Sequence, residues 1–337
     1  MSQLRQKLQN FPKHTAEDLT RLKRIITERA AARPPLSDGE KERLQQEFSA
    51  VEDMGVENVF LFFYDTMYAL NGCEAVFHNV MHCSYLCYFL GLTKVNPLDY
   101  RLPFERYYGR NRTHLPCCSI AVKKGAAGRV MRHLQNAYGA ERIARIQDWE
   151  NEYILSEKPV FTFGDIEKTV IHATEREETV WREEISSIDM ATAARFQLYT
   201  FTLKETEIFE YRIFSEEEIY RKTLALFSKR PSWFWDDAYE GVKGMEKIFA
   251  ATDGKFVYQE QFFEICTKCL SLTGQESDVF RRALVKRSRK ETENLKVIFE
   301  EKCGEEGTSA FEYVRKRMPY VVCKAYVIGT LFLDISE

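Results

Sequence analysis

No stretch of this sequence is apolar for long enough to cross a bilayer, which takes about 20 consecutive apolar residues. The most apolar region, 59–92, is broken by Asp65, Asn71, Glu74, His78, Asn79 and His82, so it is expected to be buried core. Histidine is scarce, with six in 337 residues, and no local motif suggests a Ser/His/Asp triad or a carboxylate pair set for hydrolysis. A glycine-rich nucleotide loop is missing too. The nine cysteines follow no regular spacing, and no signal peptide is recognisable. Reduced thiols in a cytoplasmic setting are therefore expected, and not a disulfide framework. Neither sign of charge dominates: 48 Lys and Arg against 51 Asp and Glu leave −3. That argues against a wholly basic nucleic-acid binder and leaves any such role to a local patch.

The chain is 45% hydrophobic and 29% charged, the composition of a soluble globular protein with room for one large or two ordinary domains. Thr15 is placed to cap a helix over 16–32, which Arg33-Pro34-Pro35 stops. Ser37 and Glu40 have capping-box spacing; Leu44, Phe48, Val51 and Met54 follow at helical intervals, and Gly55 ends the run. Segments 59–70 and 74–90 read as buried helices. An amphipathic helix is expected over 129–138, with Val130, Leu134 and Ala137 inward and Gly139 as its stop. A short strand at 160–163 precedes a helix over 166–173, and further helices are expected over 214–230 and 291–303. Between 196 and 213, Leu198, Thr200 and Thr202 alternate with Tyr199, Phe201 and Leu203, a strand-like pattern. Trp233-Phe234-Trp235 is an aromatic knot, either a platform for stacked bases or, more commonly for such a cluster, core or a partner contact.

Two groups have metal-ligand character. His78 and His82 share one face of the expected 74–90 helix, while Cys83 and Cys87 share another, about 100° away. Closing a zinc site would take Cys73 or Cys117-Cys118 as well. Cys266 and Cys269 form a lone CxxC with no second pair, and small buried core thiols are the ordinary fate of such residues. No metal site is assigned to either group.

Segment 88–122 organises the rest: Leu90-Gly91-Leu92-Thr93, then Asn96-Pro97-Leu98, then Pro103-Phe104-Glu105-Arg106, then an apolar piece over 115–122. This layout resembles the palm of the bacterial DNA polymerase III alpha subunit, the C-family replicative polymerase. There a Leu-Gly-Ile-Thr…Asp-Pro…Leu-Phe-Glu-Arg-Phe run leads to a Pro-Asp-x-Asp-x-Asp strand whose carboxylates hold magnesium. Glu42-Arg43-Leu44, Val51-Glu52-Asp53-Met54-Gly55 and Val59-Phe60-Leu61…Asp65 resemble the family's preceding helices. Near the C-terminus, Tyr258-Gln259-Glu260-Gln261, Asp278…Arg281-Arg282-Ala283 with Lys286-Arg287, and Lys324 resemble the family's fingers. The resemblance runs from about Leu36 to Leu333.

The resemblance implies a helix-rich α+β fold: a nucleotidyltransferase-like palm plus helical fingers, with the thumb missing because too few residues separate Trp149 from Val160. It implies an extension at 1–35, a palm-like domain at 36–195 and fingers at 196–337, and it favours a helix over 196–213 against the alternation. The acidic positions are Cys117, Ser119 and Ala121, and the third metal-binding aspartate falls at Thr162. Residues 78–84 replace the family's glycine- and serine-rich phosphate loop, of which only Ser84 survives.

Nucleotidyl transfer needs two divalent ions held mainly by carboxylates, so the expectation is no polymerase activity and no bound cofactor, although the family uses magnesium. Arg281, Arg282, Lys286, Arg287 and Lys324 are the candidate phosphate-binding residues, with a solvated charged face as the plainer reading. The expected role is an inactive homologue that binds DNA or nucleotide as an accessory, with a replication or repair protein as a further candidate partner and no membrane. The alternatives are a protein-interaction scaffold and an enzyme with a rebuilt metal site.

Overall fold

The structure is a computed structural model describing residues 11, 15–70, 75–110, 112, 114–146, 152–155, 187–188, 199–236, 238–239 and 241–334. The expected strand at 160–163, the helix at 166–173 and Thr162 itself lie outside them.

Helix α1 (Ala16–Ala31) starts at Thr15, whose side chain and that of Asp18 complete a capping box. Helix α2 (Asp38–Met54) starts at Ser37 with Glu40 in the reciprocal position and ends at Gly55, whose φ of 64° is the left-handed stop that glycine adopts most freely. Helix α3 (Glu57–Ala69) buries Val59, Phe60, Leu61, Phe62 and Phe63 in succession, so it runs through the core and not along its surface. Phe62 alone makes edge-on contacts with Phe11, Tyr138, Tyr199 and Phe201. Each such ring removed from water contributes about 1.5–3 kcal/mol.

The expected helix over 74–90 is not one element. Strand β1 (Ala75–Phe77) pairs with the next strand, Asn79 turns the chain at a φ of 64°, a 3-10 turn spans Asn79–Cys83, and only Tyr85–Phe89 is α-helical (α4). Ser84 breaks the run by taking extended backbone and capping Cys87 with its side chain. Past α4, Gly91 takes a φ of 75°; a Cβ there would lie 2.4 Å from the Arg29 guanidinium, whose Nε donates to the Phe89 carbonyl.

Strand β2 (Cys118–Val122) leads to α5 (Ala127–Tyr138), then β3 (Ile143–Ile146), β4 (Glu152–Leu155), β5 (Ser187–Ile188) and β6 (Tyr199–Glu205). In α5, Val130 and Leu134 face inward as expected, but Ala137 is exposed. The six strands form one mixed sheet in the order β1-β2-β6-β4-β3-β5, with β2 parallel to β6 and antiparallel to β1. Over the described part of 196–213, residues 199–213, the favoured helix is thus replaced by β6 and an irregular stretch. The alternation carried the information: Tyr199, Phe201 and Leu203 are buried, while Thr200, Thr202 and Lys204 occupy the other face.

The second half is helical: α6 (Glu216–Leu226), α7 (Ser232–Asp236), α8 (Met245–Phe249), α9 (Gln259–Glu264) with a π-helical turn at Ile265–Cys269, α10 (Gly274–Lys286), α11 (Arg289–Cys303), α12 (Gly307–Arg317) and α13 (Lys324–Gly329). Two apolar cores result. One joins α1–α5, the sheet, α6 and α13; the other joins α7–α12. The aromatic knot belongs to the second core. Phe234 is fully buried, and the Arg317 guanidinium lies 4.9 Å from its ring and donates to its carbonyl. No helix among the described residues is long and apolar enough to cross a membrane.

Candidate functional site

Cys117, Ser119 and Ala121 follow one another on one face of β2 and its lead-in, because side chains alternate along a strand. In register, Ser119 pairs with Thr202 and Ala121 with Lys204; one strand further, Thr202 pairs with Glu152. That face therefore presents thiol, hydroxyl, methyl, threonine and ammonium groups. Its carboxylate, Glu152, has a pKa raised by desolvation and partly offset by a hydrogen bond from Thr202. The sequence shows Thr200 and Thr202 only as part of an alternation and does not single out Lys204; that alternation, taken as a strand, is what places all three here. Cys117 is open to solvent, yet desolvation pushes its thiol up against the pull of Arg106 and Arg112.

The neighbouring His78–Ser84 segment carries two buried imidazoles. His78 is 6% exposed and His82 is not exposed at all, and none of their four ring nitrogens has a hydrogen-bond partner. Burial, then Lys204, lowers His78 to about 4; burial, then His78, holds His82 well below its usual value. With the helix broken, the i, i+4 faces that would have gathered His78, His82, Cys83 and Cys87 do not form. Among the described residues no group of three or more His, Cys, Asp or Glu is placed to hold a metal ion. Cys73 lies outside them.

The two histidines make stability depend on pH. Below about 6.5 the unfolded chain binds protons that the folded one refuses, so stability is complete above that pH and falls as pH drops toward about 4. Each histidine removes about 1.4 kcal/mol per pH unit in that window. Urea midpoints measured from neutral to mildly acidic pH should fall more steeply for the native protein than for His82→Leu. Parallel slopes would contradict this assignment.

At the end of the segment where the resemblance places a phosphate loop, Ser84 and the two amides that follow it already have an anion. Glu47, fully buried in α2, accepts from the amides of Tyr85 at 2.8 Å and Leu86 at 3.0 Å, and from Ser84 Oγ at 2.6 Å. Arg43 neutralises it at 2.6 Å and reaches on to the carbonyls of Cys83 and Leu102.

The finger-like words meet the first half along a seam. Arg281 is 7% exposed and donates twice to Asp278, at 2.8 and 3.1 Å; Arg282 approaches the same carboxylate at 3.0 Å. Arg112, from the segment before β2, reaches it from across the seam at 3.3 Å. Burial, then the nearby charge of Arg106, lowers Arg281 to about 10. Lys324 is paired with Glu216 at 2.6 Å, whereas Lys286 and Arg287 are exposed at the end of α10, without an ion-pair partner among the described residues.

Every residue of the Tyr-Gln-Glu-Gln word is engaged. Tyr258 shares a 2.8 Å hydrogen bond with Thr223, and Gln259 accepts from Arg106 at 2.6 Å. Glu260 receives the amides of Lys324 and Ala325 at the start of α13, and Gln261 accepts from the amides of Val257 and Tyr258. Arg106 and Gln259 thus form a second joint between the halves.

A mixed-sheet half joined to an all-helical half by these words defines a polymerase palm-and-fingers unit. Residues 13–158 match the family model for the bacterial DNA polymerase III alpha NTPase domain, and 235–307 match that for the alpha subunit finger domain. The chain belongs to the bacterial DNA polymerase III alpha subunit family. It is 30% identical over 107 residues to the DNA polymerase III subunit alpha of Staphylococcus epidermidis, and 31% identical over 125 residues to an error-prone DNA polymerase of Rhodopirellula baltica. These matches cover 31% and 36% of this chain but only 10% and 11% of the relatives.

Proposed function

We propose that this chain is a palm-and-fingers homologue that holds nucleic acid or nucleotide without transferring nucleotides, as a cytoplasmic accessory to replication or repair. The observation that supports the reading is the face shared by β2 and β6, where Ser119 pairs with Thr202 and Ala121 with Lys204, and Cys117 leads into the strand. Magnesium, the ion the family implies, does not fit this donor set. It is a hard cation that takes oxygen ligands, chiefly carboxylates and water, and a lysine ammonium opposite Ala121 repels it.

Arg281, Arg282 and Lys324 are held by carboxylates of the chain itself, so of the five candidates Lys286 and Arg287 are the ones free, among the described residues, to meet a phosphate backbone. A gel-shift titration with primed DNA should give a complex at low salt that weakens steeply as salt rises. Lys286→Ala/Arg287→Ala should weaken it at every sequence tested. Absence of a complex at low salt would overturn the nucleic-acid reading and leave a protein-interaction scaffold. The internal neutralisation of three candidate cations favours that second reading, as do Phe209 and Ile213, 57% and 66% exposed between β6 and α6. The division at 35/36 and 195/196 is likewise a proposal, which limited proteolysis tests.

A further inference from the structure

A cavity of about 550 Å³ opens where α8, the π-helical turn, the end of α11 and the loop holding Arg101 come together. Arg101, Lys243, Lys247, Lys268 and Lys302 stand around it. Lys268 is paired with Glu264, but the other four make no ion pair among the described residues. Glu246, which adjoins Lys243 and Lys247, is committed to the backbone: its carboxylate accepts from the Gly244 amide at 2.6 Å, and backbone hydrogen bonds hold it below the usual carboxylate range. Burial, then Cys269, then Glu306 raise the Cys303 thiol, so Glu306 is also near, but the cavity lining itself holds five cations and no carboxylate. In a concave wall such charges repel one another and concentrate a positive potential, which an anion relieves.

We propose that this cavity binds a compact ligand carrying several phosphates. Its size is that of a small-molecule site, too short for an extended strand. Its uncharged lining, Val242 and Ile248 with the thiols of Cys269 and Cys303, contains no aromatic ring on which a base could stack, so recognition is of the phosphates alone. The cations come from four separate stretches of chain, so the folded protein and not a peptide segment makes the site. It is independent of the seam and of the proposed DNA contact at Lys286 and Arg287.

Calorimetric titration of the full chain with inorganic tripolyphosphate tests this, with nucleoside triphosphate and a short oligothymidylate as parallel arms. Alkylation of Cys269 and Cys303, followed by peptide mapping, gives a second readout. Tripolyphosphate and nucleoside triphosphate should bind alike and slow alkylation of both thiols. Lys247→Ala/Lys302→Ala should weaken both by roughly tenfold or more, the effect of losing charge-assisted contacts. Lys286→Ala/Arg287→Ala should leave them unchanged. No tripolyphosphate binding at low salt, binding untouched by the Lys247/Lys302 variant, or binding of the oligonucleotide alone would each overturn the proposal.

Discussion

Glu47→Ala is expected to destabilise the protein by about 3–5 kcal/mol, because it strands a buried charge. The Glu47 carboxylate is wholly buried and receives Arg43, Ser84 and the amides of Tyr85 and Leu86. Truncation leaves the Arg43 guanidinium, 15% exposed, with two carbonyls but no counter-charge, and leaves the first amides of α4 unmet. Glu47→Gln should cost less, since an amide oxygen still accepts from one donor while the ion pair is lost. Urea unfolding measures both. A loss under about 1 kcal/mol for the alanine variant would show that Glu47 does not hold α2 to the broken segment.

Asp278→Asn should be comparably disruptive, with a signature that separates charge from packing. Arg112, Arg281 and Arg282 converge on that one carboxylate. Without it three guanidiniums face one another across the seam, at a cost of about 3–5 kcal/mol in a buffer without polyvalent anions. Pyrophosphate should then stabilise the variant much more than the native protein. At a hundredfold excess over its dissociation constant the gain is about 2.7 kcal/mol. Equal stabilisation of the two proteins would mean that the arginines are not released by the substitution.

Local chemistry was the legible part of this sequence. The caps at Thr15, Ser37 and Gly55 depend on residues within a turn or so of one another, and all three stand as expected. Segments whose structure is decided by distant partners are the ones local pattern does not reveal. Residues 74–90 carry enough apolar side chains for a helix, but β1 is claimed by β2, and Ser84 with Glu47 starts the helix only at Tyr85. At 199–205 the local alternation was the better guide, and the resemblance pointed away from it.

The site was less legible than the fold. Spacing could place six cations in 281–290 but could not show that Asp278 binds Arg281 and Arg282, nor that Arg112 joins them from 166 positions away. Nor could it show that Lys204 stands opposite Ala121, since that needs the parallel pairing of β2 with β6. The basic cavity draws on four stretches of chain and leaves no local motif at all.

Primer extension bears most directly on the idea of a palm without its ion cradle. Homogeneous protein, primed DNA and all four nucleotides are incubated with magnesium or manganese, and the products are resolved to single nucleotides. No product longer than the primer is expected with either ion. Metal-dependent elongation that stays with the protein through purification, and is lost on chelation, would contradict it.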